Sequence, residues 1–293
     1  MSQANSSGAS VTSCVEILTV ATGQRRTIYE GGGVYEAPNW SRDGQFLIVN
    51  RDGLLHRLPV EGAPNNAELP VINTEFANRC NNDHGISPDG KRIVISHHAD
   101  DSDGASVLYT LPIGGGTPFR VTEKAPSYWH GWSPDGNTLA YVAGRNGQDL
   151  KIFSISVYGG EESQLTFGPG LDDGPDYSHD GQCIYYNSFA SGRMQIWRML
   201  ANGTAHTQMV ESTGSDWFPH PSPDGSCLVF LRYLEDQVQG HPFGRDVQLF
   251  KMDIASQTVT PLTDVFYGGQ GTINVPSWSP DSSEFAFVSY RQG

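Results

Sequence analysis

The chain has 293 residues, with 18 Lys and Arg against 32 Asp and Glu, a formal net charge of −14. Such an acidic balance argues against nucleic acid or an anionic bilayer as a partner, because either needs a basic face. No run of about 18 apolar residues is present that could insert into a membrane, and 34 glycines with 18 prolines indicate many tight turns.

Residues 1–10 lack both a basic start and an apolar stretch, so no signal peptide is expected and the protein is placed in the cytoplasm. Residues 1–13 are read as a disordered tail and 14–293 as one domain. Two strand-like segments follow, 15–20 and 24–29, around a turn at Gly23. A four-residue theme then begins at Ser41-Arg42-Asp43-Gly44. It recurs as Ser87-Pro88-Asp89-Gly90, Ser133-Pro134-Asp135-Gly136, Ser178-His179-Asp180-Gly181, Ser222-Pro223-Asp224-Gly225 and Ser279-Pro280-Asp281-Ser282. Its aspartates lie 46, 46, 45, 44 and 57 residues apart, a period typical of repeat architectures. Ser opens a type I turn, Pro presets φ, Asp suits the third position, and Gly takes the left-handed position that leads into a bulged hairpin.

After each turn comes a short β-branched and aromatic run, at 46–49, 93–95, 139–142, 183–186, 227–231 and 285–288, as expected of strands buried on both faces. A third segment (54–60, 107–113, 150–157, 195–201, 247–254) and a fourth (for example 119–122, 164–166, 258–263) complete a unit of four strands, A to D. The last unit stops after A and B, whereas the first segment supplies only C and D. The expected fold is all-β: a six-bladed β-propeller of four-stranded antiparallel blades, closed by N-terminal strands that complete the C-terminal blade. Closure removes the open edges a linear array would leave.

Residues common to the repeats have structural explanations. Turn chemistry accounts for the six aspartates. Packing between blades accounts for Trp40, Trp132, Tyr177 and Trp278, each one residue before the turn serine. Ion pairs account for Arg51, Arg145, Arg193, Arg232 and Arg291 near the ends of B strands. Cys14, Cys80, Cys183 and Cys227 show no Cys-x-x-Cys spacing and are read as reduced, buried thiols.

Departures from the repeat are better candidates for function. The D-A connections and B-C loops should emerge together, opposite the Ser-Pro-Asp-Gly turns and around the mouth of the central channel. The expected ligand-binding set there is Glu36, Asn39, Asp83, His84, Tyr128, Trp129, His130, Asp173, Asp176, Asp216, Trp217 and His220. His84 and His130 occupy the position held by Pro38, Pro175, Pro219 and Pro276 in the other blades, and His220 stands one residue later. Aromatic rings mixed with carboxylates suit a protein, a peptide or a small polar ligand. His84, His130 and His220, with the carboxylates, could alternatively hold a divalent metal. Ordinary hydrogen-bonded histidines, and so no cofactor, are the expectation, since no short local ligand motif is present. No catalytic residue is identified. Residues 234–246 and 264–274 account for the long last spacing and are expected to overhang the mouth.

The stretches Pro38-Asn39-Trp40-Ser41-Arg42-Asp43-Gly44 and Pro276-Ser277-Trp278-Ser279-Pro280-Asp281, each followed by an apolar strand, resemble the repeat of the TolB-type propellers. The likeness runs from about residue 14 to 291. Similar repeats occur in TolB, in propellers attached to prolyl-oligopeptidase-like hydrolases and in oligogalacturonate lyases. The resemblance therefore implies the ring, and either of two functions. The expected one is a non-enzymatic binding module. The alternative is a metal-assisted lyase or hydrolase acting on carbohydrate, with Asp173 or Asp176 as base at the same mouth. Neither the α/β domain that precedes the TolB propeller nor the Gly-x-Ser-x-Gly elbow of a hydrolase is expected here. A lyase of polyuronic acids would also want basic residues where this mouth is acidic.

Overall fold

The turn theme closes through one repeated set of hydrogen bonds. In the computed structural model, which describes residues 10–293, Ser41 Oγ donates to Asp43 Oδ1 at 2.6 Å and accepts the Phe46 amide at 3.0 Å. The Ser-to-Asp bond returns at 2.6, 2.5, 2.7, 2.6 and 2.7 Å in the other five copies. The fourth residue lies at φ between 70° and 75° in the five glycine copies, and Ser282 takes the same region at 64°. Serine hydroxyls and backbone amides thus use up the turn carboxylates locally, as turn chemistry requires.

Strands β1 (Val11–Thr19) and β2 (Gln24–Gly32) open the fold. Blade 1 contains β3 (Glu36–Trp40), β4 (Phe46–Arg51) and β5 (Leu54–Pro59). Blade 2 contains β6 (Cys80–Ile86), β7 (Arg92–His98), β8 (Ser106–Pro112) and β9 (Phe119–Arg120). Blade 3 contains β10 (Ser127–Trp132), β11 (Thr138–Ala143), β12 (Lys151–Ser156) and β13 (Ser163–Gln164). Blade 4 contains β14 (Asp172–Tyr177), β15 (Cys183–Ser188), β16 (Gln195–Leu200) and β17 (Thr207–Gln208). Blade 5 contains β18 (Ser215–Pro221), β19 (Cys227–Tyr233), β20 (Phe243–Asp253), β21 (Val259–Pro261) and β22 (Phe266–Gly269). Finally β23 (Glu284–Gln292) lies antiparallel to β1, with Val11 opposite Gln292 and Thr19 opposite Glu284. The sixth blade is therefore the sheet β2-β1-β23, built from both ends of the chain.

Three expectations need correction. Residues 11–13 are not tail but strand: Ser13 Oγ donates to Gly33 O and accepts the Tyr35 amide, both at 2.8 Å; residues 1–9 lie outside the described residues. Blade 1 is three-stranded, its fourth position reduced to a bridge between His56 and Val71. Pro64 and Pro70 explain this, since proline brings no amide to a ladder. In blade 6 the innermost position is likewise only a bridge, Trp278 to Phe285.

Packing bears out the structural reading of the shared residues. The Trp132 indole donates to Gly85 O of blade 2 at 3.3 Å, and that of Trp278 to His220 O of blade 5 at 2.8 Å. Arg145 forks onto Glu162 with both contacts at 2.8 Å. Cys14, Cys80 and Cys227 are buried thiols, while Cys183 is only half-buried.

Candidate functional site: a crowded channel mouth

The geometry of the mouth originates in the innermost strands. Register breaks there in each of blades 1 to 5, between Glu36 and Asn39, Cys80 and His84, Trp129 and Gly131, Asp173 and Asp176, and Trp217 and His220. In three of them the residue before the proline is left-handed: Ala37 at φ 54°, Gly174 at 58° and Phe218 at 55°. Such bulges re-aim side chains, and a left-handed phenylalanine is an outlier of the kind that collects at functional sites. Phe218 stacks on His130 with centroids 6.0 Å apart and meets His241 edge-on at 5.3 Å.

His130 crosses the ring. From blade 3 its Nε2 reaches Asp173 Oδ1 of blade 4 at 3.1 Å, and its Nδ1 reaches Asn274 O of blade 6, the blade opposite, at 3.2 Å. Asp83 lies beside it and is 6% exposed. One of its oxygens, Oδ2, accepts from the Asn81 amide at 2.7 Å, whereas Oδ1 is buried with no partner. Glu36 accepts from Asn82 Nδ2 at 3.2 Å, and Tyr128 is half-buried at the rim.

The two long insertions do more than overhang. β22 pairs with the start of β20, Phe243 opposite Gly269 and Val247 opposite Phe266, so the insertions zip into a ribbon beside blade 5. At its end His241 lies over the mouth, with its ring 4.5 Å from that of Trp217. His241 Nδ1 contacts Gln270 Oε1, and its Nε2 stands 3.7 Å from Asp173 Oδ2. Sequence reasoning places His241 on this face but not in the site. The aromatic residues Phe243, Phe266 and Tyr267 within the two insertions are the hint in the sequence that they pair.

A second polar layer lies deeper. Asn39 donates to Pro276 O at 2.6 Å and accepts the Ile86 amide at 2.8 Å, stapling blades 6, 1 and 2. His220 Nδ1 meets Asp176 Oδ2 at 3.1 Å and its Nε2 meets Ile273 O at 2.7 Å.

Several candidates are thereby reassigned. Trp129 and Trp217 are core residues, 1% and 0% exposed, not contact aromatics. Asp216 is fully buried and gripped by Arg232 Nε at 2.6 Å and Nη2 at 3.0 Å. Asn39, Asp176 and His220 join blades to one another. The metal trio does not assemble. His84 faces Asn82 O and Ile48 O, at 3.0 and 3.2 Å, and His130 and His220 each face two oxygens, so every ring nitrogen of the three is directed at an oxygen of the protein and not at a shared centre. Among the described residues no three His, Cys, Asp or Glu side chains converge in a way that would hold a metal. Glu36, Asp83, Tyr128, His130 and Asp173 remain together at the mouth, now with His241.

Electrostatics follow from this crowding. Burial alone would depress the His130 imidazole, but Asp83 and Asp173 outweigh it and raise the group to about 9. Burial, aided by Asp173 and opposed by His130, raises Asp83 to about 6. It likewise raises Glu36 to about 7, with Asp83 adding to the effect. Each of the three is raised above its ordinary value. Their protonated forms therefore stabilise the fold fully below about 3.8 for Asp83, 4.5 for Glu36 and 6.5 for His130, and that stability is lost as pH climbs through about 6, 7 and 9. Urea midpoints are expected to fall from about pH 5 to about pH 9 by the equivalent of a few kcal/mol, and Asp83→Asn should flatten the fall. A midpoint that climbs toward alkaline pH contradicts this account.

The closed ring of blades and its six repeated Ser-to-Asp turns define the class: six-bladed propellers with TolB-type repeats. Residues 118–264 match the TolB beta propeller domain. Over 283 residues the chain is 47% identical to an uncharacterized protein of Agrobacterium fabrum, covering 97% of this chain and 94% of the relative. A solved Agrobacterium tumefaciens structure, described as a TolB, is similar at a TM-score of 0.90 and 45% identity, over 96% of this chain and 99% of that one. The chain belongs to the TolB beta-propeller family. An oligogalacturonate lyase from Vibrio parahaemolyticus is similar in fold alone, with a TM-score of 0.56 and 13% identity over 98% of this chain and 86% of that one.

Proposed function

We propose that this TolB-type propeller is a non-enzymatic binding module, working in the cytoplasm, that takes a protein, a peptide or a small polar ligand at the channel mouth. One observation carries the reading: the partnerless, buried Asp83 Oδ1 lies where residues departing from the repeat gather. A buried carboxylate oxygen without a partner is costly, and the buried indole nitrogens of Trp129 and Trp217 also stand without partners. The metal-assisted lyase reading has no matching support, because its three ligand imidazoles are already hydrogen-bonded. Hydrogen exchange in the presence of a defined library of peptides and polar metabolites tests the proposal. Protection is expected in 80–84, 127–130, 172–174, 241–243 and 266–274, and Tyr128→Ala should weaken the protecting ligand about tenfold. Protection confined to the Ser-Pro-Asp-Gly turns, or to the outer blade edges, would place the site elsewhere.

A further inference from the structure

Blade 3 departs from the repeat just after its outermost strand. In blades 2, 3 and 5 a threonine there accepts an amide from the neighbouring strand: Thr122 from Leu108 at 2.9 Å, Thr166 from Ile152 at 3.0 Å and Thr263 from Leu249 at 3.1 Å. An acid follows Thr122 and Thr263, namely Glu123 and Asp264, and in blade 4 Glu211 follows Val210 at the matching step. Blade 3 has Phe167 instead, and its side chain is 71% exposed. Apolar residues scattered singly over a surface need no explanation, but this one lines a groove.

The groove measures about 610 Å³ and is shared by Phe167 with Gly147, Gln148, Asp149, Gln164 and Gly168. A Cβ added at Gly147 or Gly168 would meet nothing within 4 Å, so both sides are open. Its walls are nonetheless anchored. Asp149 Oδ2 accepts the Gly170 amide at 2.8 Å, and the Gln148 amide returns to Arg145 O at 3.0 Å, with Arg145 itself forked onto Glu162. Lys151 also borders the groove, but it is 3% exposed and its charge is taken by Asp172 at 2.9 Å. What remains is a set of acceptors beside a bare ring. Asp149 is exposed and, among the described residues, pairs with no cation. Gln164 gives its Nε2 to Thr166 O at 2.8 Å, which leaves Oε1 as an acceptor.

We propose that this groove docks an arginine side chain carried on a segment of a protein partner. A guanidinium lies flat on an aromatic ring while its fork donates to carboxylate and amide oxygens; Phe167, Asp149 and Gln164 offer those three surfaces in one groove. A lysine ammonium is a point charge with no flat face, so it fits the ring less well. The net charge of −14 favours a basic partner, and anchored walls reduce the ordering that binding requires. This groove lies outside the channel mouth and does not depend on the mouth being a site.

Ligand-observed NMR on the full chain at neutral pH tests this with blocked glycine tripeptides whose central residue is arginine, citrulline or lysine. Citrulline keeps the shape of arginine and drops its charge. The arginine peptide is expected to bind in the millimolar range and the other two about tenfold more weakly. Phe167→Ala, which removes a ring already in water, should weaken the arginine peptide about twofold to fivefold. Asp149→Asn, whose amide oxygen can still accept the Gly170 N–H, should weaken it about tenfold. Citrulline or lysine binding as well as arginine, no binding of the arginine peptide, or affinity unchanged in both variants would each overturn the proposal. Binding that survives both groove variants but is lost in Tyr128→Ala would move the arginine to the mouth: the groove assignment then falls while the mouth remains a site.

Discussion

Trp129→Ala is expected to destabilise the fold by about 3–5 kcal/mol, the range for emptying a fully buried indole site. The ring lies at the seam between blades 2 and 3, where Gly85 leaves space for it: a Cβ there would come within 1.9 Å of Trp129 Cη2. Its amide is tied to Ser96 Oγ of blade 2 at 2.9 Å, so the residue couples two blades through both backbone and side chain. The cavity is rigid-walled, because Val94, Leu108, Leu139 and Tyr141 of the same cluster are also buried. Urea denaturation followed by tryptophan fluorescence and by circular dichroism measures the loss. A change below about 1 kcal/mol, the central value for ordinary point mutants, would mean that Trp129 is available to a ligand after all.

Arg232→Ala should cost a similar ~3–5 kcal/mol, for an electrostatic reason. Asp216 is fully buried, held by the Arg232 fork and by Ser212 Oγ at 3.0 Å. Burial already raises this carboxyl, with Arg232 opposing the rise. Removing the guanidinium leaves a buried charge uncompensated, and the carboxyl moves further up. Because its folded pKa then lies above the unfolded value near 3.8, the deficit is greatest at neutral pH and shrinks as acidification protonates Asp216. Adding Asp216→Asn to Arg232→Ala should recover part of the loss at pH 7. A residue of it will persist at every pH, since the Arg232 guanidinium also covers the Phe250 ring at 4.1 Å. A deficit independent of pH, unmoved by Asp216→Asn, would show that Arg232 acts through packing alone.

Turn chemistry is local, which is why the ring was legible from the chain. Ser133, Asp135 and Gly136 fix a hairpin within four residues, and six such hairpins with a divided last unit admit closure and little else. Side-chain direction is not local. The sequence places Trp129, His130 and Asp216 on one face, yet Trp129 turns into a seam, a bulge at His130 aims it across the ring, and Asp216 faces its cross-strand partner Arg232. No spacing rule announces a left-handed Phe218. His241 is the sharper case: it reaches the mouth only because β20 and β22 pair across the loop between Val247 and Phe266, and pairing between loops depends on the whole surface beneath them. The missing fourth strand of blade 1 was within reach, since Pro64 and Pro70 interrupt the segment that would have formed it.

The imidazole of His130 serves this wheel as an axle pin. Seated between one rim and the rim facing it, it ties blade 3 to Asp173 of blade 4 and to the run that leads into blade 6. Asn274, at the pin's far end, also begins the strap that runs down to the fastening where the two termini meet. His130 is therefore wired, through Asn274, to the same stretch of chain that leads into the blade shared by both termini.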